Sequence, residues 1–509
     1  MPENNVENSM SQSEREFRSP WPRGPEQAAD FGPDLYSRPL RFWILQAAFA
    51  AWLVAFPASH AVAQNEPSSS LTLHQAIQYA LAHSPDLQTA TAQVRKQEGN
   101  VKSARSPLLP QVDLLADASR YRYDHGILPG ADPRNLHFDN MIYTTGAELH
   151  FLVWDFGKTS AQLQAARQRL DSSKLLLDRQ REEVIYNAAS LFLKAETYDD
   201  LMEAAQAREK SLEVLLDQTQ QLVKGGRAVP LDALKVQTRL AQVESDLATL
   251  QAGRQGTMSA LLAAIGWEGE IPTLIKEEAA AAPEVPSKAE GELLREAFAR
   301  RPDLAAAMEE SRAADLLAKS ARRSLLPRFD FRATTYDYEA NSPLAFGALI
   351  GQILPQLQVP APSVSHWQAD WVVGGRVTFP LFDGGRRRGE IIAAEAQRRQ
   401  AESAVLRTRL AISREVRTSQ ANLASDQQRV KSLEASVAQA QEALRLERLK
   451  YQAGRSEINF VLDAEAALLT NDSLLREARL ATQIDRLALD LSLGSITEDL
   501  SQIPIYPTP

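Results

Sequence analysis

The feature that most constrains what this chain can fold into is that it is written twice. The stretch "ALAHSPDLQTATAQVRKQEGNVKSARSPLLPQVDL" (Ala80 to Leu114) aligns without a gap on "AFARRPDLAAAMEESRAADLLAKSARRSLLPRFDF" (Ala297 to Phe331). Both carry Pro-Asp-Leu, Lys-Ser-Ala-Arg and Leu-Leu-Pro at matching places, which unrelated segments rarely do. After a longer insertion in the second copy, Asp155 falls under Asp383, Gly226 under Gly454 and Gly266 under Gly494 at one constant offset. Duplicate sequence predicts duplicate structure. A first unit covers 64–267 and a second 291–494, with an Ala/Pro/Glu-rich linker over 268–290 between them. A leader and export signal occupy 1–63 and a tail 495–509.

Within each copy the hydrophobic period changes. Pro85 and Pro302 sit where the first helical position tolerates a missing N–H, and they open helices running toward Arg105 and Arg322 that Leu-Leu-Pro then ends. Alternation follows. Phe329, Phe331, Ala333 and Thr335 share one side of "RFDFRATTYDY", with Asp330, Arg332 and Thr334 on the other. Val373, Val377, Phe379 and Leu381 likewise alternate with Gly374, Arg376 and Thr378. Each copy therefore holds two strands, one face apolar and one polar, joined by a Pro/Gly/Asn-bearing loop at 126–140 or 340–365.

Long helices come next. Leu163, Leu170, Leu177, Val184, Leu191, Tyr198, Ala205 and Leu212 keep a strict seven-residue step, as do Val416, Leu423, Val430, Val437, Leu444 and Tyr451. The span from Gly157 to Val223 has no proline, so one helix of about 67 residues would extend roughly 100 Å. Each chain then turns at "KGGRAVPLD" (Lys224 to Asp232) or "QAGRSEINF" (Gln452 to Phe460) and returns as a second amphipathic helix ending near Gly266 or Gly494.

Composition narrows what such a chain does. A net charge of −9 over 509 residues leaves no basic footprint for nucleic acid. The absence of cysteine removes disulfides, thiol nucleophiles, cysteine-type zinc sites and a lipid-anchoring cysteine. Arg38 and Arg41 precede the apolar "FWILQAAFAAWLVAF", followed by Pro57 and by Ala61-Val62-Ala63 before Gln64, which reads as a secretory signal cut after Ala63. At roughly 15 residues the run is shorter than the ~20 a membrane span needs.

Two-faced strands behind an export signal are the mark of an outer-membrane barrel. Four strands cannot close on themselves, and open edges are not tolerated in hydrocarbon, so several chains must pool their strands and continue them as a helical tube. The twofold repeat, the phrase Pro-Leu-Phe-Asp-Gly-Gly-Arg (Pro380 to Arg386) and the phrase Tyr-Gln-Ala-Gly-Arg (Tyr451 to Arg455) resemble TolC-type outer-membrane efflux proteins over about Leu71 to Gly494. The resemblance implies a mostly α fold with a transmembrane β part: a homotrimer whose twelve-stranded barrel sits in outer-membrane lipid and continues as a periplasmic α-barrel. It also implies a periplasmic adaptor and an inner-membrane pump of the RND, ABC or MFS type as partners, and no cofactor.

The same resemblance suggests functional residues. Asp155 and Asp383 are placed to cap the long helices, Gly157, Gly384 and Gly385 to swing the backbone from strand to helix, and Arg386 to Arg388 to meet the periplasmic membrane surface. An ordinary solvated helix start is the alternative for the arginines. Val377 and Phe379 are expected to face lipid or a packed neighbour, and Arg376 and Thr378 the lumen. Matched by the glycines, Asp463 and Tyr451 fall on the family's gate carboxylate and gate tyrosine, and Asp232 on the carboxylate across the adjoining hairpin. Phe460 and Ser456 replace another gate carboxylate and a linking arginine, so a closed latch must be rebuilt, with Arg455 a candidate. A solvated carboxylate at Asp463 and a plain seam position at Tyr451 are the competing readings. The tips Gly226, Arg227, Gly454 and Arg455 are expected to meet the adaptor.

Signs of catalysis are poor. His60, His74, His83, His125, His137, His150 and His366 are scattered, with no His-Glu-x-x-His, Walker or Rossmann pattern, so neither an enzyme nor a metal site is expected. Two rivals remain, a periplasmic adaptor and a soluble helical solenoid. The first predicts one hairpin flanked by β-rich segments, the second no paired strands.

Overall fold

The computed structural model describes residues 70–123, 138–275, 288–340 and 368–496. The expected export signal and nearly all of both inter-strand loops fall outside the described residues. In chain order the first unit runs β1 (Ser70–Leu71), α1 (Leu73–His83), α2 (Pro85–Arg105), β2 (Gln111–Tyr123), β3 (Phe138–Trp154), α3 (Lys158–Lys224) and α4 (Pro230–Ile265), and β4 (Thr273–Leu274) follows within the linker. The second runs α5 (Glu290–Arg300), α6 (Pro302–Arg323), β5 (Arg328–Ala340), β6 (Gln368–Thr378), α7 (Arg386–Gln452) and α8 (Ile458–Leu493).

Local chemistry accounts for the boundaries. Thr72 and Gln75 form a reciprocal capping box at the start of α1. Pro85 and Pro302 stand at the first positions of α2 and α6. Both long helices contain 67 residues, or about 100 Å of rod. They stop at left-handed glycines: Arg227 N–H donates to Leu222 O and Arg455 N–H to Lys450 O, both at 2.8 Å, across Gly226 (φ 68°) and Gly454 (φ 70°).

The helices form two hairpins, α3 with α4 and α7 with α8, and every residue of the expected seven-residue seams is buried or half-buried. The cores repeat as the sequence does. Val184, Ala188, Ala195, Leu261 and Ile265 occupy in the first unit the places of Ile412, Val416, Leu423, Leu489 and Leu493 in the second. A separate core near the tips gathers Leu212, Val236, Val243, Leu444, Ile458 and Val461 from both hairpins. The returning helices end against the short ones. A Cβ on Gly266 would sit 2.7 Å from the carbonyl oxygen of His83, and one on Gly494 would sit 3.3 Å from the backbone of Arg300 and Arg301.

Strands β1 and β4 pair in parallel, and the other four make an antiparallel sheet in the order β2-β3-β5-β6. Its register stacks Leu114, Ala147, Thr335 and Trp371 in one row and Val112, Leu149, Ala333 and Val373 in the next, so the apolar residues share a face as expected. One expectation needs correction: Phe379 and Leu381 lie beyond the end of β6, which stops at Thr378. The corresponding residues of the first unit, Phe151 to Trp154, are paired with β5 alone. On that side β6 has no neighbour among the described residues, so nothing holds residues 379–382 in a ladder.

Candidate functional site: sheet, hinges and hairpin tips

The sheet exposes its apolar face. Leu114 is 84% accessible and Trp371 75%, and Val112, Val373 and Val377 are also exposed. The opposite face carries paired charge: across strands Arg332 donates to Glu148 at 2.7 Å and His150 lies 3.7 Å from Asp113, and along β5 Arg328 donates to Asp330 at 2.7 Å. A ribbon with a bare apolar face and a polar, paired one suits lipid on one side and water on the other.

Both hinges are built alike. Asp155 accepts from the amides of Gly157 (3.1 Å) and Thr159 (2.8 Å), and Asp383 accepts from those of Gly385 (3.2 Å) and Arg387 (3.2 Å). Each aspartate thus caps its helix from two residues before the N-cap, across two successive left-handed residues. In the second hinge these are Gly384 and Gly385, and in the first Phe156 (φ 56°) and Gly157. The Phe156 ring lies near Phe329 (6.5 Å between centroids) and edge-on to Trp154 (5.9 Å), which offsets its backbone strain. Arg387 pairs with Asp383 at 3.3 Å and Arg386 with Glu390 at 2.5 Å.

At the tips Gly226, Arg227, Gly454 and Arg455 are exposed. Asp463 projects into solvent from α8 and Asp232 is half-buried at the start of α4. Tyr451 rests against the tip core, its hydroxyl buried without a partner. No hydrogen bond or ion pair joins these three within one chain. Ser456 bonds instead to Glu447 at 2.9 Å, which Lys450 also pairs at 2.6 Å; these two contacts hold the Glu447 carboxyl below its ordinary range.

Sequence reasoning missed the strongest link between the hairpins. Glu465 of α8, 1% exposed, accepts from Arg208 of α3 at 2.8 Å and from Arg448 of α7 at 2.5 Å, and Arg448 also donates to Ser211 at 2.8 Å. Burial lowers the pKa of Arg208, Glu465 opposes that, and the charges of Arg239 and Arg448 add to it. A signal was there: Glu465 follows Ile458 by seven residues and Val461 by four, on the apolar stripe of α8.

A second polar cluster holds the end of α8. Arg301, almost fully buried, forks onto Asp303 (2.9 and 2.6 Å), reaches Glu415 (2.6 Å) and donates to Ser492 O at 3.4 Å, while Arg179 donates to Leu491 O at 2.9 Å. Two guanidinium groups thus answer carbonyls of the last turn and the negative end of the helix. Burial pushes the Asp303 carboxyl up, but the bond and charge of Arg301, the charge of Arg179 and the Leu304 amide together hold it below its usual value. Among the described residues no cluster of metal-ligating side chains and no helix apolar enough to cross a membrane is found.

Comparison with known proteins matches this geometry. The family model described as "Outer membrane efflux protein" covers residues 76–267 and 293–495, one block for each unit. The pyoverdine export outer membrane protein OpmQ of Pseudomonas putida is 26% identical over 442 residues, 84% of this chain and 86% of that protein. Outer membrane protein TolC of Escherichia coli is 23% identical over 442 residues, 85% of this chain and 84% of that one. Among solved structures, the CmeC outer membrane channel of Campylobacter jejuni superposes with a TM-score of 0.69 at 15% identity, covering 85% of this chain and 87% of that one. The MtrE outer membrane channel of Neisseria gonorrhoeae in its open state gives 0.65 at 21%, covering 84% and 90%. Duplicated strands and hairpins set aside the adaptor and solenoid rivals, and the chain belongs to the outer membrane efflux protein family, as an outer-membrane channel for efflux or secretion.

Proposed function

We propose that three copies of this chain pool their sheets into a twelve-stranded barrel in outer-membrane lipid and their hairpins into a periplasmic tube, a passive exit duct. The observation that carries this reading is one sheet, bare on its apolar face and, among the described residues, unpartnered at both edges, running directly into two helices of 67 residues each. The tips Gly226, Arg227, Gly454 and Arg455 dock a periplasmic adaptor, and an inner-membrane pump supplies the energy.

Threefold symmetry would bring three copies of Asp463 round one axis, where exposed carboxylates favour cations. Asp232 and Tyr451 complete the gate as contacts to an adjoining hairpin, since neither side chain finds a polar partner among the described residues. In planar bilayers Asp463→Asn is expected to weaken cation selectivity and block by divalent cations while the trimer keeps its stability. Unchanged selectivity in a channel that still inserts would make Asp463 a solvated surface residue. Asp232→Asn should instead raise the open-state conductance.

A further inference from the structure

The two units share a scaffold but not a charge pattern at the helix ends nearest the sheet. In the second unit the bases there meet carboxylates: Arg322 of α6 donates to Glu395 of α7 at 3.1 and 2.8 Å, Lys319 pairs with Asp315 at 2.6 Å and Arg386 with Glu390 at 2.5 Å. In the first, the repeat puts Arg167 where the second has Glu395, and Gln162 where it has Glu390. Between Asp155 and Asp171 the chain holds no acidic residue, and α2 holds none after Glu98. The bases remain, with Lys102, Arg105 and Lys158 at the places of Lys319, Arg322 and Arg386.

Lys102, Arg105 and Arg167 are exposed and Lys158 is half-buried, and among the described residues none of the four side chains forms an ion pair. Asp171, the next acid along α3, pairs with Lys174 at 4.0 Å. Bases in a last turn suit the negative end of a helix, which accounts for Lys102 and Arg105 as it does for Arg322. It does not account for Arg167, which lies well inside α3. Helix α2 packs on α3 as α6 packs on α7, so position 167 is brought to Arg105 as Glu395 is brought to Arg322. Two guanidinium groups thus share a place that the second unit fills with an ion pair, and like charges so placed repel unless an anion joins them.

We propose that this place binds the phosphate group of an anionic phospholipid in the periplasmic leaflet, held between Arg105 and Arg167 with Lys102 and Lys158 at its rim. This assignment rests on the reading above that the sheet sits in outer-membrane lipid, and adds the class of lipid. A guanidinium fork matches two phosphate oxygens at once, and bases at headgroup depth draw anionic lipid. Lipid rather than free phosphate is the source, because apolar surface begins beside the charge. Leu109, four residues after Arg105, is exposed, and Val112 and Leu114 continue from it along the bare face of the sheet. Acyl chains cover that surface while the headgroup meets the arginines. In the second unit Glu395 already occupies the phosphate's place.

The repeat supplies its own control. Arg167→Glu installs the pairing that Arg322 and Glu395 make, which the scaffold accepts, and Glu395→Arg removes that pairing from the second unit. With the purified protein in detergent, short-chain phosphatidylglycerol should raise the thermal midpoint of the helical signal, and phosphatidylcholine or inorganic phosphate at matched concentration should not. Arg167→Glu should weaken the phosphatidylglycerol response about tenfold or more, as loss of one charge-assisted contact does. Glu395→Arg should add a second bound phosphatidylglycerol per chain in native mass spectra. An undiminished response in Arg167→Glu, or an unchanged lipid count in Glu395→Arg, overturns the site. A shift with inorganic phosphate as large as with the lipid overturns the lipid as its source. Should Arg167→Glu not fold, Arg105→Gln takes its place with the same expectation. Absence of trimers from outer membranes overturns the lipid-embedded reading itself, whereas trimers there without preference for phosphatidylglycerol overturn this assignment alone.

Discussion

Arg208 of α3 and Glu465 of α8 meet at 2.8 Å, 8% and 1% exposed, and tie one helical hairpin to the other inside a single chain. Arg448 grips the second oxygen of the same carboxylate, so α3, α7 and α8 share one buried anion. Removing it leaves the Arg208 and Arg448 guanidinium groups without their shared carboxylate. Glu465→Ala is expected to destabilise the helical part by about 3 to 5 kcal/mol, as loss of one partner from a buried pair does. Arg208→Met combined with Glu465→Leu should cost less than Glu465→Ala alone. Denaturant unfolding followed by circular dichroism checks both, and a double variant as damaged as the single one would show that the pair adds nothing beyond packing.

Asp485 of α8 is pushed up to about 6 by burial, by its hydrogen bond with Asp426 of α7 and by that residue's charge. A carboxyl raised above its ordinary 3.8 keeps its proton in the folded chain at pH values where the unfolded chain has lost it. Its contribution to stability is therefore fully present below 3.8 and fades as pH rises toward 6. Asp485→Asn should flatten the fall in thermal midpoint across that window, read from melts at a series of pH values. An unaltered slope would assign the pH dependence to other groups.

Gly266 and Gly454 share a left-handed backbone, φ 73° and 70°, but not their surroundings. Alanine at Gly454 meets open space and costs only the backbone strain, about 1 to 2 kcal/mol. At Gly266 the new methyl would lie 2.7 Å from the His83 carbonyl oxygen, so the junction of α4 with α1 and α2 must shift. Gly266→Ala should lower the melting temperature of the helical signal more than Gly454→Ala, and the reverse order would contradict the close approach.

Val373 lies in the middle of β6 on the apolar face, Val377 one residue from its helix-side end and Thr378 on the polar face. Val373→Arg should cost about 2 to 4 kcal/mol near the bilayer midplane, and Thr378→Lys about 0 to 1. The yield of heat-resistant assembled protein in the outer membrane measures the difference. Equal yields would mean that the two faces do not see different solvents.

Periodicity made much of this legible. A seven-residue seam without proline writes a long coiled-coil helix, a glycine past its last turn writes the stop, and alternation from Phe329 to Thr335 writes a two-faced strand, because each is a property of neighbouring backbone. The aspartates of the hinges were readable for the same reason: Asp155 and Asp383 act on amides within four residues of themselves.

What needed tertiary structure was the choice of partner. Residues 301 and 84 are equivalent in the repeat, yet Arg301 anchors the end of α8 while Ser84 is buried with its hydroxyl unpaired. Glu465 reads as a flaw in an apolar stripe until α3 and α7 bring Arg208 and Arg448 to it. Phe379 alternates with its neighbours yet forms no strand in the isolated chain, because a ladder needs another strand beside it. By itself the sequence determined the elements, their lengths and their faces through local sterics and hydrophobic period. Only the tertiary structure decided which faces meet, because whether a buried charge is matched depends on residues hundreds of positions away.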